Sequence, residues 1–317
     1  MKQSRHAIFV IFTLLLIVIL TSACGGTSST PVAQPPVSSG SNGNEPVETE
    51  EAVPTEEPAE DPEFARPDIS TAKFDNPTMI DNKYFPMTPG RKLVFEGLTQ
   101  EGAQQFEHSI VYYVTDLTKE VLGIESVVAY ILDYSDGELV EAEIAFYAQD
   151  NDGNVWFMGE HPEVYENGKL VEAPTWIPGF KGAEAGITMK ANPQLNESSY
   201  AQGWGPAVNW TDRGRVIGMG EQVCVPFDCY EDVLVTEEYS QSEPEAFQVK
   251  SYAPGIGNIK VTWRGDDATH EELELVELVE LDADALAEIR AAALALEAHA
   301  YEISKEVYDQ TAPMKQP

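Results

Sequence analysis

Positive charge is what this chain has least of. Its 317 residues hold 19 Lys and Arg against 54 Asp and Glu, a net charge of −35. That balance excludes a nucleic-acid partner, because the phosphate backbone demands positive charge. It also argues against electrostatic docking on anionic lipid. Histidine is sparse, with His6, His108, His161, His270 and His299 scattered and no pair at metal-ligand spacing. "HEELE" at 270–274 has Glu274 where the zinc motif H-E-x-x-H has its second His, and it alternates like a strand, whereas that motif needs a helix. No G-x-S-x-G elbow appears, and "GRVIGMG" lacks the Gly-Lys-Ser/Thr of a phosphate loop. No catalytic residue and no cofactor is therefore assigned.

Cysteine is nearly missing too, with three in all. Cys224 and Cys229 lie in "EQVCVPFDCYEDV", around Pro226. The spacing differs from the C-x-x-C of a redox pair, and no His is near enough to complete a metal site. A structural disulfide closing a hairpin is the expectation, and it requires an oxidising compartment.

Cys24 has a different setting. Lys2 and Arg5 precede an apolar stretch from Ala7 to Leu20, which is short for a membrane span of about 20 residues but right for a signal-peptide core of about 7–15. Thr21, Ser22 and Ala23 then lead to Cys24 and a Gly pair, a loose form of the bacterial lipobox. The expectation is a signal peptide over 1–23, a lipid on Cys24, and a membrane partner reached through that anchor on the extracytoplasmic face. Loss of Lys2 and Arg5 with the leader takes the net charge from −35 to −37. Residues 24–65, rich in Ser, Pro and Glu and free of Lys and Arg, cannot bury enough apolar surface to order themselves and are expected to form a disordered tether.

From 66 to 281 the pattern is β. Runs such as "RKLVFEG", "QFEHSIVYYVTD", "IESVVAYILDY" and "EDVLVTEEYS" are separated by Asp136-Gly137, Asp152-Gly153 and Asn167-Gly168, dipeptides that favour type I′ turns. Around ten strands with short links demand antiparallel pairing. In 139–147, Ala142, Ile144 and Phe146 alternate with Glu141 and Glu143, so the glutamates are expected to face water. In 124–134 both faces are apolar, so something must cover the second face.

The cover is expected from residues 282–309. Asp282 is a plausible N-cap, and Leu286, Ile289, Ala293, Leu296, Ala300, Ile303 and Val307 form a narrow stripe, with Arg290, Glu297, Glu302 and Lys305 elsewhere. Packing on its own domain is favoured over a partner helix. Residues 310–317 read as a disordered tail. The predicted fold class is mainly β: one antiparallel, strongly curved or barrel-like sheet with a C-terminal α-helix on it.

Two site readings need weighing. "AQDNDGNVWFMGE" resembles a calcium loop in its middle, but its anchoring ends would be Ala148 and Gly159, so a hairpin is expected and Asp150, Asp152 and Asn154 remain a weak cation candidate. The Trp-rich stretches "NVWFMGE", "TWIPGF", "YAQGWGPAVNW" and "KVTW" read as core plugs at sheet rims, with a ligand lining as the alternative.

"NPTMIDNKYFPMTPGRKLVFEG", "FYAQDNDGNVWFMGE" and "YAPGIGNIKV" together resemble a family of uncharacterised bacterial secreted proteins and lipoproteins, over roughly residues 74–281. The resemblance implies an envelope protein and brings no catalytic residue. The functional expectation is a non-enzymatic binding or interaction module with an apolar ligand or an envelope protein as partner; the rival is a hydrolase of envelope polymers acting through a carboxylate pair.

Growth with a labelled fatty acid is expected to label the wild-type chain and leave Cys24→Ser unlabelled. An intact leader on an unlabelled wild-type chain would refute the anchor.

Overall fold

The Asp-Gly and Asn-Gly dipeptides set the rhythm of the chain. Asp136 and Gly137 have φ of 48° and 77°, and Asn167 and Gly168 have 53° and 69°, the doubly left-handed turn expected of them. At the third site only Gly153 is left-handed, at 91°, because a five-residue loop held by Asp150 makes that turn instead.

The computed structural model describes residues 65–317; Cys24, the leader and the predicted tether lie outside the described residues. Fourteen strands form one sheet. They are β1 (Arg91–Glu101), β2 (Gln104–Val121), β3 (Ile124–Ser135), β4 (Glu138–Gln149), β5 (Val155–Glu166), β6 (Lys169–Glu172) and β7 (Glu184–Met189). After them come β8 (Tyr200–Ala201), β9 (Gly203–Trp204), β10 (Asp212–Cys224), β11 (Cys229–Ser240), β12 (Ala246–Ala253), β13 (Gly257–Gly265) and β14 (Glu272–Glu280). Neighbours pair antiparallel throughout, and β14 returns to lie between β13 and β1.

The sheet curls until its two ends nearly meet. Tyr200 and Ala201 pair with β10, and two residues later Gly203 and Trp204 pair with β7. The segment 200–204 thus joins both ends, with Gln202 buried at the seam. The approach is close enough that a Cβ on Gly186 would stand 2.3 Å from the Gln202 carbonyl carbon, so the seam requires glycine there. The result is a nearly closed barrel. Cys224 and Cys229, paired at the end of the β10–β11 hairpin, are joined by a disulfide.

The C-terminal segment covers the outside of β2–β5. Helix α1 (Ala283–Ile303) starts at Asp282, whose side chain accepts from the Ala285 amide, and breaks at Ser304 before a single turn, α2 (Lys305–Tyr308). Ala293, Leu296 and Ala300 pack with Val128, Tyr130, Ile144 and Phe146. Val127 and Ala129, on the other face of β3, pack inside with Phe157, Trp176 and Trp210. The two-faced apolar strand was therefore read correctly, and so was its cover.

Three expectations need correction. Glu141 and Glu143 do not face water: both are buried, because their face of β4 is the inside of the barrel while the apolar face is the outside under α1. Glu297 is buried rather than on the wet side of α1, since Lys119 on β2 reaches it at 2.6 Å. The last residues are ordered: Met314 is buried, its amide donates to Glu297 at 2.9 Å, and Lys315 exchanges backbone hydrogen bonds with Thr118.

Lys119 is wholly buried, and it also reaches Tyr301 and Thr311 and lies 4.7 Å over the ring of Tyr308. One buried ammonium therefore ties sheet, helix and tail together. Lys119→Met is expected to cost about 3–5 kcal/mol, because it strands the Glu297 charge. Combining it with Glu297→Gln should recover about half of that loss in chemical denaturation, since the amide oxygen still accepts from Met314.

Candidate functional site

Inward-pointing side chains of this barrel line a partly open cavity of about 200 Å³. That is far more than the about 10–15 Å³ a single water needs. Leu93, Phe95, Ile110, Val114, Ile131 and Leu273 are among its apolar lining, with Ile110 paired to Asp133 and Ile131 to Glu143 across the strands. Tyr112, Tyr147, Tyr252, Phe157 and Trp210 add aromatic surface. Its charged lining is Asp133, Glu141, Glu143, Glu160, Glu238 and Glu271 against Lys250, with Thr188, Gln202, Gln248 and Asn258 as neutral polar groups.

A bulge aims one of these acids. The β4–β5 register shifts between Ala145 and Tyr147, opposite Gly159. Gly159 has φ of 100°, and a Cβ there would meet the Trp176 carbonyl oxygen at 2.6 Å. The extra residue reverses the alternation of β5. Phe157 faces in before it and Glu160 after it, while His161 and Glu163 go to the outside.

The acids are held in different ways. Glu238 accepts from Lys250 at 2.6 Å and from the Tyr252 hydroxyl at 3.0 Å. Asp133 pairs with His108 Nε2 at 2.9 Å, and the other ring nitrogen faces Glu271 Oε1 at 3.4 Å. Gln248 donates to Glu271 at 2.6 Å. Glu160 accepts from Trp176 Nε1 at 2.9 Å, and the Glu143 and Glu160 carboxyls hydrogen-bond to each other. Two carboxylates cannot share a hydrogen bond unless one carries a proton.

Burial makes protonation general here. It pushes Glu143 and Glu271 up to about 7. Burial and the charge of Glu143 hold Glu160 and Glu141 well above the ordinary carboxyl range. Burial opposes a charge on His108, but the hydrogen bond and charge of Asp133 and the charge of Glu271 together outweigh it, and the imidazole pKa is raised. Burial likewise works against Lys250, and Glu238 overcomes it.

A second constellation lies outside, under the break in the C-terminal helix. His161 bonds Thr175 Oγ1 at 2.6 Å and Glu163 at 3.2 Å, and His299 reaches the same Glu163 oxygen at 2.7 Å. Hydroxyl, imidazole and carboxylate stand in the order of a nucleophile triad. Thr175 is buried, however, and its hydroxyl is shared with Ser304 at 2.8 Å. The network fastens the helix break to the sheet.

The residues singled out from sequence fare differently. Asp150 Oδ1 takes the amides of Asp152 and Asn154, and its Oδ2 takes Asn154 Nδ2 and Trp156 Nε1, so both carboxylate oxygens serve the turn. Among the described residues no group of three or more His, Cys, Asp or Glu converges as a metal site. Trp156, Trp176 and Trp210 are buried plugs, and Trp210 also lines the cavity. Glu141 and Glu143, expected to face water, line the cavity instead, and the other cavity acids are marked in the sequence only as isolated polar residues in apolar runs, such as Asp133 in "VVAYILDY".

No family model matches the chain, and no curated protein matches it. Two solved structures are similar to it. One, from Bacteroides fragilis NCTC 9343, is described as an exported protein with a YmcC-like fold; it is 14% identical, covers 62% of this chain and 99% of its own, and has a TM-score of 0.37. The other, from Parabacteroides distasonis ATCC 8503, is described as a lipoprotein; it is 15% identical, with the same coverages of 62% and 99% and a TM-score of 0.35.

Raised carboxyls give an unusual pH dependence. Glu143 and Glu271 ionise at about 7 when folded, against an ordinary 4.5. Between those values the folded chain binds more protons than the unfolded one, so stability falls as pH rises, by up to ~1.4 kcal/mol per unit per group. His108, raised above its ordinary 6.5, acts in the same sense; His161, lowered by burial, opposes it. The Tm is expected to be higher at about pH 5 than at about pH 8, and Glu271→Gln should flatten the difference in scanning calorimetry.

Proposed function

We propose that this chain is a lipid-anchored protein of the bacterial exterior whose barrel binds a small ligand in its interior. The anchor rests on the leader and Cys24 in the sequence. The binding role rests on one observation: the cavity of about 200 Å³ is lined by apolar and aromatic side chains interleaved with polar groups whose pKa values are displaced. Concave, mostly apolar sites with a few placed polar groups are the usual form of ligand pockets. A chain built only to pack would not retain six acids around an internal space, because each buried charge or unshared proton costs stability.

The rival reading, hydrolysis of saccharides by a carboxylate pair, fits less well. Glycosidases hold their two carboxyls about 5–9.5 Å apart to leave room for sugar or water. Glu143 and Glu160 touch through a shared hydrogen bond, so this pair leaves no such gap.

Protein purified from its own envelope is expected to carry an extractable small molecule, seen as excess mass in native over denaturing mass spectra. Ile131→Trp, which fills the cavity from its wall, should lower the retained fraction about tenfold with little change in fold. Identical native and denatured masses for the wild-type protein would overturn the binding role.

A further inference from the structure

The chemistry of the ligand follows from how the cavity's charges are spent, and this step rests on the binding role just proposed. Lys250 is taken by Glu238 at 2.6 Å, and His108 is taken by Asp133 at 2.9 Å, with Glu271 behind it at 3.4 Å. Glu143 feels the charge of Lys250, but no cation stands against Glu141 or Glu160. Glu143 and Glu160 hold each other through one proton. Glu141 is different. It is only 8% exposed, lines the cavity, and has no hydrogen-bond partner among the described residues. A buried carboxyl left unsatisfied at an internal space is costly unless something else fills its bonding capacity.

We infer that the cavity takes an organic monocation, an ammonium on a short apolar body, with its head among Glu141, Glu143 and Glu160. Tyr147 and Tyr252 line the same space and give it aromatic surface. The apolar side chains of Leu93 and Phe95 receive the body. An anion would meet six acids. A purely apolar solute would leave the Glu141 carboxyl without a partner. A bare metal ion lacks a converging ligand set among the described residues.

The charge balance is simple. Without ligand, the cluster stays near neutral by holding protons. When R–NH₃⁺ binds, one carboxyl loses its proton to solvent and becomes the counter-ion, so one cation replaces another and no other bond changes. The groups facing this exchange are Glu143 beside Glu141 on β4, Asp133 on β3 with His108 of β2 behind it, Glu160 on β5, Glu238 on β11, Lys250 on β12 and Glu271 before β14.

The test is calorimetric titration of the full chain at about pH 6.5 with n-hexylammonium chloride, 1-hexanol and sodium hexanoate, in two buffers of different ionisation enthalpy. Hexylammonium is expected to bind about tenfold or more tighter than hexanol, with release of on the order of one proton per ligand. Glu141→Gln and Glu160→Gln, each close to isosteric, should both weaken the amine about tenfold and leave hexanol unchanged. Hexanol or hexanoate binding as tightly as the amine, or amine binding without proton release, would overturn the inference. A neutral or anionic molecule co-purifying with the protein would overturn the cation and keep the binding role. An empty protein that takes none of the three probes would remove both.

Discussion

The five residues from Tyr200 to Trp204 hydrogen-bond to both ends of the sheet, and everything inside the molecule depends on that seam. An open sheet of this length would have two edges and two solvent-facing surfaces. Joined at 200–204, it has an inside. Once there is an inside, the polar face of β4 has nowhere else to go, because its apolar face is committed to α1. The seam also explains the small residues around it: Gly186 and Gly203 let backbone and tryptophan approach where a side chain would collide.

An interior with six acids is a poor way to gain stability. A carboxylate moved out of water loses several kcal/mol of hydration even after relaxation. The barrel reduces that loss by three different means. Glu238 is neutralised by Lys250, Asp133 by His108, and Glu143 and Glu160 by sharing a proton. Replacement by well-packed apolar residues would be neutral or better for folding. Polar groups kept at such a cost are characteristic of sites rather than scaffolds, and here the strained protonation states and the empty space coincide. The buried Lys119–Glu297 pair makes the contrast: it too is desolvated, but the tyrosines, Thr311 and Met314 close around it, it lines no part of this cavity, and it serves attachment.

Much of the architecture was legible in the sequence. Asp136-Gly137 and Asn167-Gly168 gave the hairpins, the doubly apolar run at 127–132 demanded a second covering layer, and Asp282 marked the start of the helix that supplies it. The site was not legible, for a physical reason. Alternation in β4 says that the faces differ, but which face is inside is decided by the closure of the sheet and the position of α1, both remote in sequence. An apolar face turned outward under a helix and a polar face turned inward on a cavity produce the same pattern as an ordinary half-wet strand. The same limit hid Glu297, whose burial depends on Lys119, 178 positions away. The tail was misjudged because its order comes from Glu297 and Thr118, not from its own composition.

Gly159 joins these threads. Strict alternation from Phe157 would carry His161 and Glu163 into the barrel and turn Glu160 out. The left-handed bulge at Gly159 does the reverse. One inserted residue thus gives the cavity its shared-proton partner for Glu143 and gives the helix break its His161–Glu163 anchor, on opposite faces of the same strand. The two constellations are therefore coupled by covalent geometry. A register change that loosened the helix break would also rotate Glu160 away from Glu143. The cavity's protonation and the seating of the C-terminal helix cannot be tuned independently while β5 remains one strand.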